Sequence, residues 1–336
     1  MKPERGDRIK GEAVKWAMPL RIPFGDVTMI AGRDGAAKST YACHLTAAFT
    51  RGEYTGKKEN VYLVMAEDHY RRIVKPRLEV AGADPKRWYV VPRASGIAFP
   101  GAAGELAQYV KETKSRVIII DPLDSFIRQA SRGREGVDEI KDMAEDLDVA
   151  VVILHHFNRR IDGKNLEGSI GGGRGLMAAM RGRFAWGYVQ SRAADMPDDE
   201  RLYGLIHLKN SYEDKQDPLL FAGIPETHPF DPTQTVLRLE DRGEYPLTGE
   251  HLFPKDAPVR LTKIERATAL IFQYLEEQEE MPAAALEAAV VESGISKRTF
   301  ETARSRLAKA GHIEADKRSD GWWWKLTPVD AGVESG

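Results

Sequence analysis

The sequence predicts an α/β protein: a mostly parallel, doubly wound sheet with an antiparallel extension, followed by a small α+β unit. Three observations carry this reading. Short apolar runs alternate with amphipathic stretches as far as Leu154, the pattern of parallel strands covered on both faces. Strand-like segments with short links come next, which suggests antiparallel pairing. The last part of the chain returns to helical spacing and closes on two short strands.

Taken in order, the first 26 residues are polar and punctuated by Pro and Gly, so they read as an arm leading into the first strand. The strand runs are VTMIA (27–31), VYLVMA (61–66), WYVV (88–91), VIII (117–120) and VAVVIL (149–154). Helical stretches are expected near 39–50, 69–81, 102–113 and 135–147. The segment HHFNRRIDGKNLEGSIGGGRG after Leu154 is polar and glycine-rich, and reads as a long functional loop. Strands are expected at 183–190, 203–208, 219–224 and 235–239, with 225–260 irregular and then a linker. Helices follow at 262–277 and 282–293, with a turn at Gly294. A third helix, capped by Ser296 and closed by Gly311, leads into strands at 312–315 and 322–326. Helix, helix, turn, helix, hairpin is the order of a winged helix.

The length of 336 residues suits two domains, or one large domain with an appendage. Lys+Arg is 49 against Asp+Glu at 51, a formal charge of −2, which speaks against a protein that coats polyanions but allows a local basic face. The lone Cys43 excludes an intramolecular disulfide and fits a reducing compartment. The N-terminus has no apolar core of signal-peptide length, and no run reaches the ~20 residues that span a bilayer. The expectation is a cytoplasmic protein with no membrane partner.

The most informative stretch is GRDGAAKST, Gly32 to Thr40, between a strand run and a helix. It fits the phosphate-loop pattern G-x-x-x-x-G-K-[ST] at Gly32, Lys38 and Ser39. In such a loop the backbone N–H groups of residues such as Asp34, Gly35, Ala36 and Ala37 converge with the helix N-terminus on phosphate oxygens. Lys38 would neutralise the β/γ-phosphates of ATP, and the Ser39 hydroxyl would ligate Mg²⁺. One position departs: Ala37 stands where the pattern has glycine, so binding is expected to survive in weakened form. Asp121, at the end of an apolar strand, is placed to reach Mg²⁺ as a Walker-B carboxylate. Pro122 follows it, so the carboxylate that polarises water is sought elsewhere. Glu67, at the end of the second strand, is the candidate, while Asp68 reads as a helix cap. A metal hydrolase is disfavoured, since His155–His156 lacks HExxH spacing and there is no Cys/His cluster.

With these residues in place, the chain over about 14–225 resembles the RecA-like AAA_25 ATPases, the group containing RepA-type hexameric replicative helicases. RIPFGDVTMIAGRDGAAKST, AED, IIIDPL and ILHHFNR carry the likeness. The resemblance implies ATP hydrolysis with Mg²⁺ at subunit interfaces of a homo-oligomeric ring, a hexamer, with single-stranded DNA in its channel. It places Lys38, Ser39 and Thr40 in the nucleotide loop, Glu67 as the catalytic glutamate and Asp121 as the Walker-B aspartate. In a RecA-type core the second strand would lie beside the phosphate-loop strand, which would face Glu67 to the γ-phosphate. It also implies His156 as a γ-phosphate sensor and a DNA-contacting loop running through Arg174. Arg181 or Arg183 would be an arginine finger and Lys209 a lysine acting in trans, although Ser211 stands where some relatives keep a further arginine. His155 reads as a hydrogen-bonded structural histidine.

The C-terminal unit resembles bacterial helix-turn-helix modules attached to such ATPases. Lys297, Arg298, Arg304, Lys317 and Arg318 are its candidate contacts to duplex DNA, with protein binding as the alternative. At least one of Trp322, Trp323 and Trp324 should be core. The expected division is an arm over 1–26, a RecA-like ATPase domain over 27–240, a linker over 241–260 and a winged helix-turn-helix over 261–328. The functional expectation is a DNA-associated ATPase, a ring-forming helicase or translocase of phage, plasmid or other mobile-element replication. The alternatives are an ATP-switched DNA-binding regulator or initiator without unwinding activity, and a P-loop protein in which Ala37 has weakened turnover.

Overall fold

A computed structural model describes residues 5–91, 96–127, 133–158, 161–171, 173–193, 195–197, 199, 201–254, 263–309, 312–319 and 321–327, without the side chains of 173–175, 263, 265, 266 and 269. The chain divides into two compact units, Met1–Ala257 and Pro258–Gly336.

The first unit opens with a small hairpin, β1 (Trp16–Met18) and β2 (Ile22–Pro23). Nine further strands form one sheet. They are β3 (Asp26–Gly32), β4 (Val61–Met65), β5 (Trp88–Val90), β6 (Val117–Asp121), β7 (Ala150–His156), β8 (Gly182–Tyr188), β9 (Leu202–Lys209), β10 (Leu219–His228) and β11 (Asp231–Glu244). Their spatial order is β11-β10-β9-β8-β3-β7-β6-β4-β5. Pairing from β5 through β8 is parallel, and from β8 through β11 antiparallel. The fold is therefore mixed α/β around a large, mostly parallel sheet. Helices α1 (Lys38–Arg51), α2 (Lys75–Val80), α3 (Ala103–Thr113), α4 (Gly133–Leu147), α5 (Gly173–Ala179) and α6 (Gly249–Leu252) complete the unit.

The strands read as continuous apolar runs because both sheet faces are covered. Along β6, Ile118 and Ile120 join one core with Leu106 and Val110 of α3 and Ile140 of α4. Val117 and Ile119 join the other core, with Tyr41, Leu45 and Phe49 of α1. The side-chain period of two thus splits each strand between two layers.

Four expectations are corrected. The arm over 1–26 is partly core: Ala17, Met18 and Ile22 are buried against the α1 layer, on strands too short to leave a periodic signal. Over its described residues, 225–254, the segment expected to be irregular is largely folded, and 241–254 is not a linker. β10 and β11 form a long hairpin whose outer half carries mostly exposed polar residues, so no apolar run marks it. Leu247, Leu252 and Phe253 then pack back into the core. The second strand, β4, does not neighbour β3, since β7 and β6 stand between them. Finally, the polar loop after β7 is partly folded: Phe157 bridges Ile170, Leu166 and Ile170 are buried, and α5 follows.

The second unit contains α7 (Lys263–Gln278), β12 (Glu280–Pro282), α8 (Ala283–Glu292), α9 (Lys297–Lys309), β13 (Ile313–Arg318) and β14 (Gly321–Leu326). Strand order is β12-β14-β13, all antiparallel. The strand β12, only three residues long, had no sequence signal. Ser296 Oγ accepts the Thr299 N–H at 3.3 Å, the expected N-cap of α9. Ala267, Ile271, Leu275, Leu286, Val290, Phe300, Leu307 and Ile313 form a core of their own, against which Trp324 packs while Trp322 is exposed. Gly311 lies outside the described residues.

Candidate nucleotide-binding site

The site is built where β3 ends and α1 begins. Gly32 closes β3, and a Cβ there would lie 2.8 Å from the Trp186 carbonyl oxygen, so only glycine fits. Gly35 takes φ +72°, and Ala37, just before α1, has φ 60° and ψ 31°. The left-handed conformation that glycine usually supplies is thus kept by an alanine, at a cost of about 1–2 kcal/mol.

Lys38 is buried. Its ammonium donates to the carbonyls of Gly32 at 3.1 Å and Arg33 at 2.9 Å, and lies 3.2 Å from His156 Nδ1. Burial pushes its pKa down, opposed by the charges of Asp34, Asp121, Glu67 and Asp124. His156 pairs with Gly32 in the β3–β7 register, and its Nδ1 also contacts the Asp34 carboxylate. Asp121 closes β6 and is buried. Burial pushes its carboxyl up to about 6, against the opposing hydrogen bond from Ser39 and the charge of Lys38. Glu67 is exposed, two residues beyond β4, and Met65 is in register with Asp121. Although β4 is removed from β3, Glu67 still reaches the same cleft, because all the parallel strands end on one edge.

That cleft has a volume of about 690 Å³ and is lined by Asp34, Gly35, Ala37, Lys38, Ser39, Thr40, Glu67, Asp121 and His156. Its remaining walls were not foreseen: Arg72, Ile73 and Pro76 around α2, Arg201 and Tyr203 at β9, and His228 with Gln234–Leu237 of the β10–β11 hairpin. Asp68, expected as a cap, pairs with Arg77 instead. His155 is buried with Nδ1 3.1 Å from Asp124.

Sequence reading also missed Trp186, whose indole N–H donates to the Ala36 carbonyl at 2.7 Å. An apolar run such as FAW in β8 gives no sign that its tryptophan reaches a loop 150 residues away.

Arg181, Arg183 and Lys209 lie apart from the cleft of their own chain. β8 runs parallel to β3 with Trp186 beside Gly32, so Arg183 sits at the opposite sheet edge, in register with Lys209. Arg183 is buried and pairs with Glu167 at 3.3 Å, whereas Arg181 is exposed. Partial burial, then repulsion from Arg183 and Arg181, lowers the Lys209 pKa. Arg174 is on α5, its side chain outside the described residues.

In the second unit several bases already have partners. Lys297 pairs with Glu287 at 2.7 Å, and Arg318 bonds Glu280 at 2.7 Å and Asp316 at 3.0 Å. Arg304 lies over the Trp324 ring at 5.3 Å, and Lys317 over Trp322 at 5.7 Å. Arg298 is exposed and makes no ion pair among the described residues. Among the described residues, no group of three or more His, Cys, Asp or Glu could hold a metal ion, and no helix is long and apolar enough to cross a membrane.

No curated protein matches this chain. Among solved structures it is similar to one titled "The Structure Of A DnaB-Like Replicative Helicase And Its Interactions With Primase", at 15% identity and a TM-score of 0.46. The match covers 60% of this chain and 55% of that one, so the chain spans just over half the length of that protein. Residues 3–161 match the AAA_25 family model, an AAA domain. The matched stretch holds β3, α1, β4, β6 and β7, and with them Lys38, Ser39, Glu67, Asp121 and His156 of the cleft.

Proposed function

We propose that the chain hydrolyses ATP and couples turnover to DNA, as a ring-forming helicase or translocase. The observation that carries the reading is the convergence of Lys38, Ser39, Asp121 and Glu67 on one cleft whose volume suits a nucleotide. Backbone N–H groups of the loop and the N-terminus of α1 would hold the phosphates, with Lys38 turning from its own carbonyls to the β/γ-phosphates. The Ser39 hydroxyl and the Asp121 carboxyl are hydrogen-bonded oxygen ligands of the hard type that Mg²⁺ takes, and nucleotide phosphate and water would supply the rest. When bound, Mg²⁺ supplies charge neutralisation at the β/γ-phosphates. Glu67 would orient and deprotonate the attacking water, and His156, beside Lys38, would sense the γ-phosphate.

Arg181 and Lys209, at the opposite sheet edge, suit a role toward a neighbouring subunit's cleft, and that requires a homo-oligomer, a hexamer by family likeness. Arg183 suits it less, being held by Glu167. The second unit is read as a winged helix contacting DNA through α9 and the β13–β14 hairpin.

A second reading is an ATP-switched DNA-binding regulator that never unwinds DNA. It is favoured by the internal pairing of Arg183, which removes one candidate finger. Steady-state ATP hydrolysis with and without single-stranded DNA, with light scattering on the same samples, tests the proposal. DNA-stimulated turnover by a ring-sized species is expected, and a monomer that binds ATP without turnover would overturn it in favour of the switch. Unwinding of forked DNA then separates motor from regulator.

A further inference from the structure

Trp186 touches the phosphate loop twice without lining the cleft. Its backbone pairs with Gly32 in the β3–β8 register, and its carbonyl closes the space beside the Gly32 Cα. Its indole N–H donates to the Ala36 carbonyl at 2.7 Å. One residue therefore holds both ends of the loop. The ring is fully buried, stacked on Tyr41 at 4.3 Å and on Tyr203 at 5.5 Å, so it is itself fixed in place.

The contact falls at the peptide that precedes Ala37. The Ala36–Ala37 bond is trans, so turning the Ala36 carbonyl toward the indole turns the Ala37 N–H the other way. Ala37 then sits at φ 60°, a conformation that an alanine holds only when its surroundings impose it. A glycine would adopt it unaided.

We propose that Trp186 is a positioning residue that clamps the phosphate loop and replaces, through one hydrogen bond, the conformational freedom lost with the glycine at position 37. The inference rests on reading the cleft as a nucleotide site. It makes nucleotide affinity depend on an N–H group that touches no nucleotide.

The test compares wild type, Trp186→Phe, Ala37→Gly and the double variant. Phenylalanine keeps an aromatic ring and removes the N–H. Two readouts are taken: titration with a fluorescent ADP analogue, and amide hydrogen exchange of residues 33–38 without nucleotide. Trp186→Phe should weaken binding about tenfold and speed loop exchange by a similar factor. In the Ala37→Gly background both losses should shrink to about threefold or less, because glycine no longer needs the clamp. Equal losses in both backgrounds, or unchanged exchange in Trp186→Phe, would overturn the clamp. If Trp186→Phe fails to fold, benzothienylalanine at position 186 keeps the bicyclic shape without the N–H, and wild-type behaviour of that protein overturns it equally. Wild type binding the analogue no better than Lys38→Ala would sink the nucleotide reading alone, since the exchange measurement still decides the clamp.

Discussion

At the scale of single residues, the proposed chemistry rests on three groups that the fold places differently: Lys38 and Asp121 buried, Glu67 exposed. Lys38 is buried and donates hydrogen bonds to the loop's own carbonyls, and Lys38→Ala removes the ammonium that the proposed function turns to the phosphates. Nucleotide binding should be lost, as read by calorimetry. Glu67 is exposed and makes no contact that shapes the loop, so Glu67→Gln should keep binding and lower turnover by at least 100-fold, within the usual range for a positioned base. Equal turnover in the two proteins would remove Glu67 from the mechanism. Asp121 adds a pH dependence. Its carboxyl is raised from 3.8 to about 6, so between these values the folded chain holds a proton that the unfolded chain has released. This group therefore lowers stability as pH rises through that window, and the ligand-free protein should gain stability from it on acidification toward pH 5. On the proposed reading Mg²⁺ would need the carboxylate, so Mg²⁺-dependent nucleotide affinity should fall about tenfold per pH unit below about 6. Titrations at several pH values, with Asp121→Asn as the protein lacking the step, check both signs.

At the scale of elements, what was legible depended on whether the signal was local. The phosphate loop, the Val/Ile strands and the Ser296 cap carry their information within a few residues, and each stands where its pattern put it. Strand adjacency is not local: nothing in VYLVMA states that β7 and β6 separate it from β3. Trp186 likewise acts through a contact across the sheet. The β10–β11 hairpin was hidden because most of its outer residues are exposed and polar, yet Gln234–Leu237 form a wall of the cleft. Composition misled most in the segment after β11. Phe253 is buried, edge-on to Phe157 at 5.3 Å, with the Arg33 guanidinium 5.2 Å from its ring centroid. Phe253→Ala should cost about 3 kcal/mol or more in denaturant unfolding, the range for a buried phenylalanine. A loss below about 0.5 kcal/mol would restore the linker reading of 241–260.

At the scale of the whole molecule, a formal charge of −2 supplies no general attraction to nucleic acid, so the proposed DNA affinity would have to come from local bases. In the C-terminal unit those bases are not equivalent. Arg318 forks onto Glu280 and also bonds Asp316, and this pairing raises the guanidinium's pKa further. Moving it to a phosphate would break those bonds, so it brings little new charge to DNA. Arg298, on the first turn of α9, is exposed without an ion pair among the described residues, and a phosphate contact there would release a counterion. On the winged-helix reading, Arg298→Ala should lower the slope of log affinity against log salt by about one for duplex DNA, while Arg318→Ala leaves the slope unchanged. Fluorescence anisotropy over a salt series measures both. If neither substitution moves the slope, the unit's surface does not engage DNA phosphates through α9, and the alternative of a protein partner for this unit gains weight. If Arg318 alone moves it, the pairs with Glu280 and Asp316 open on binding, and the β13–β14 hairpin rather than α9 supplies the contact.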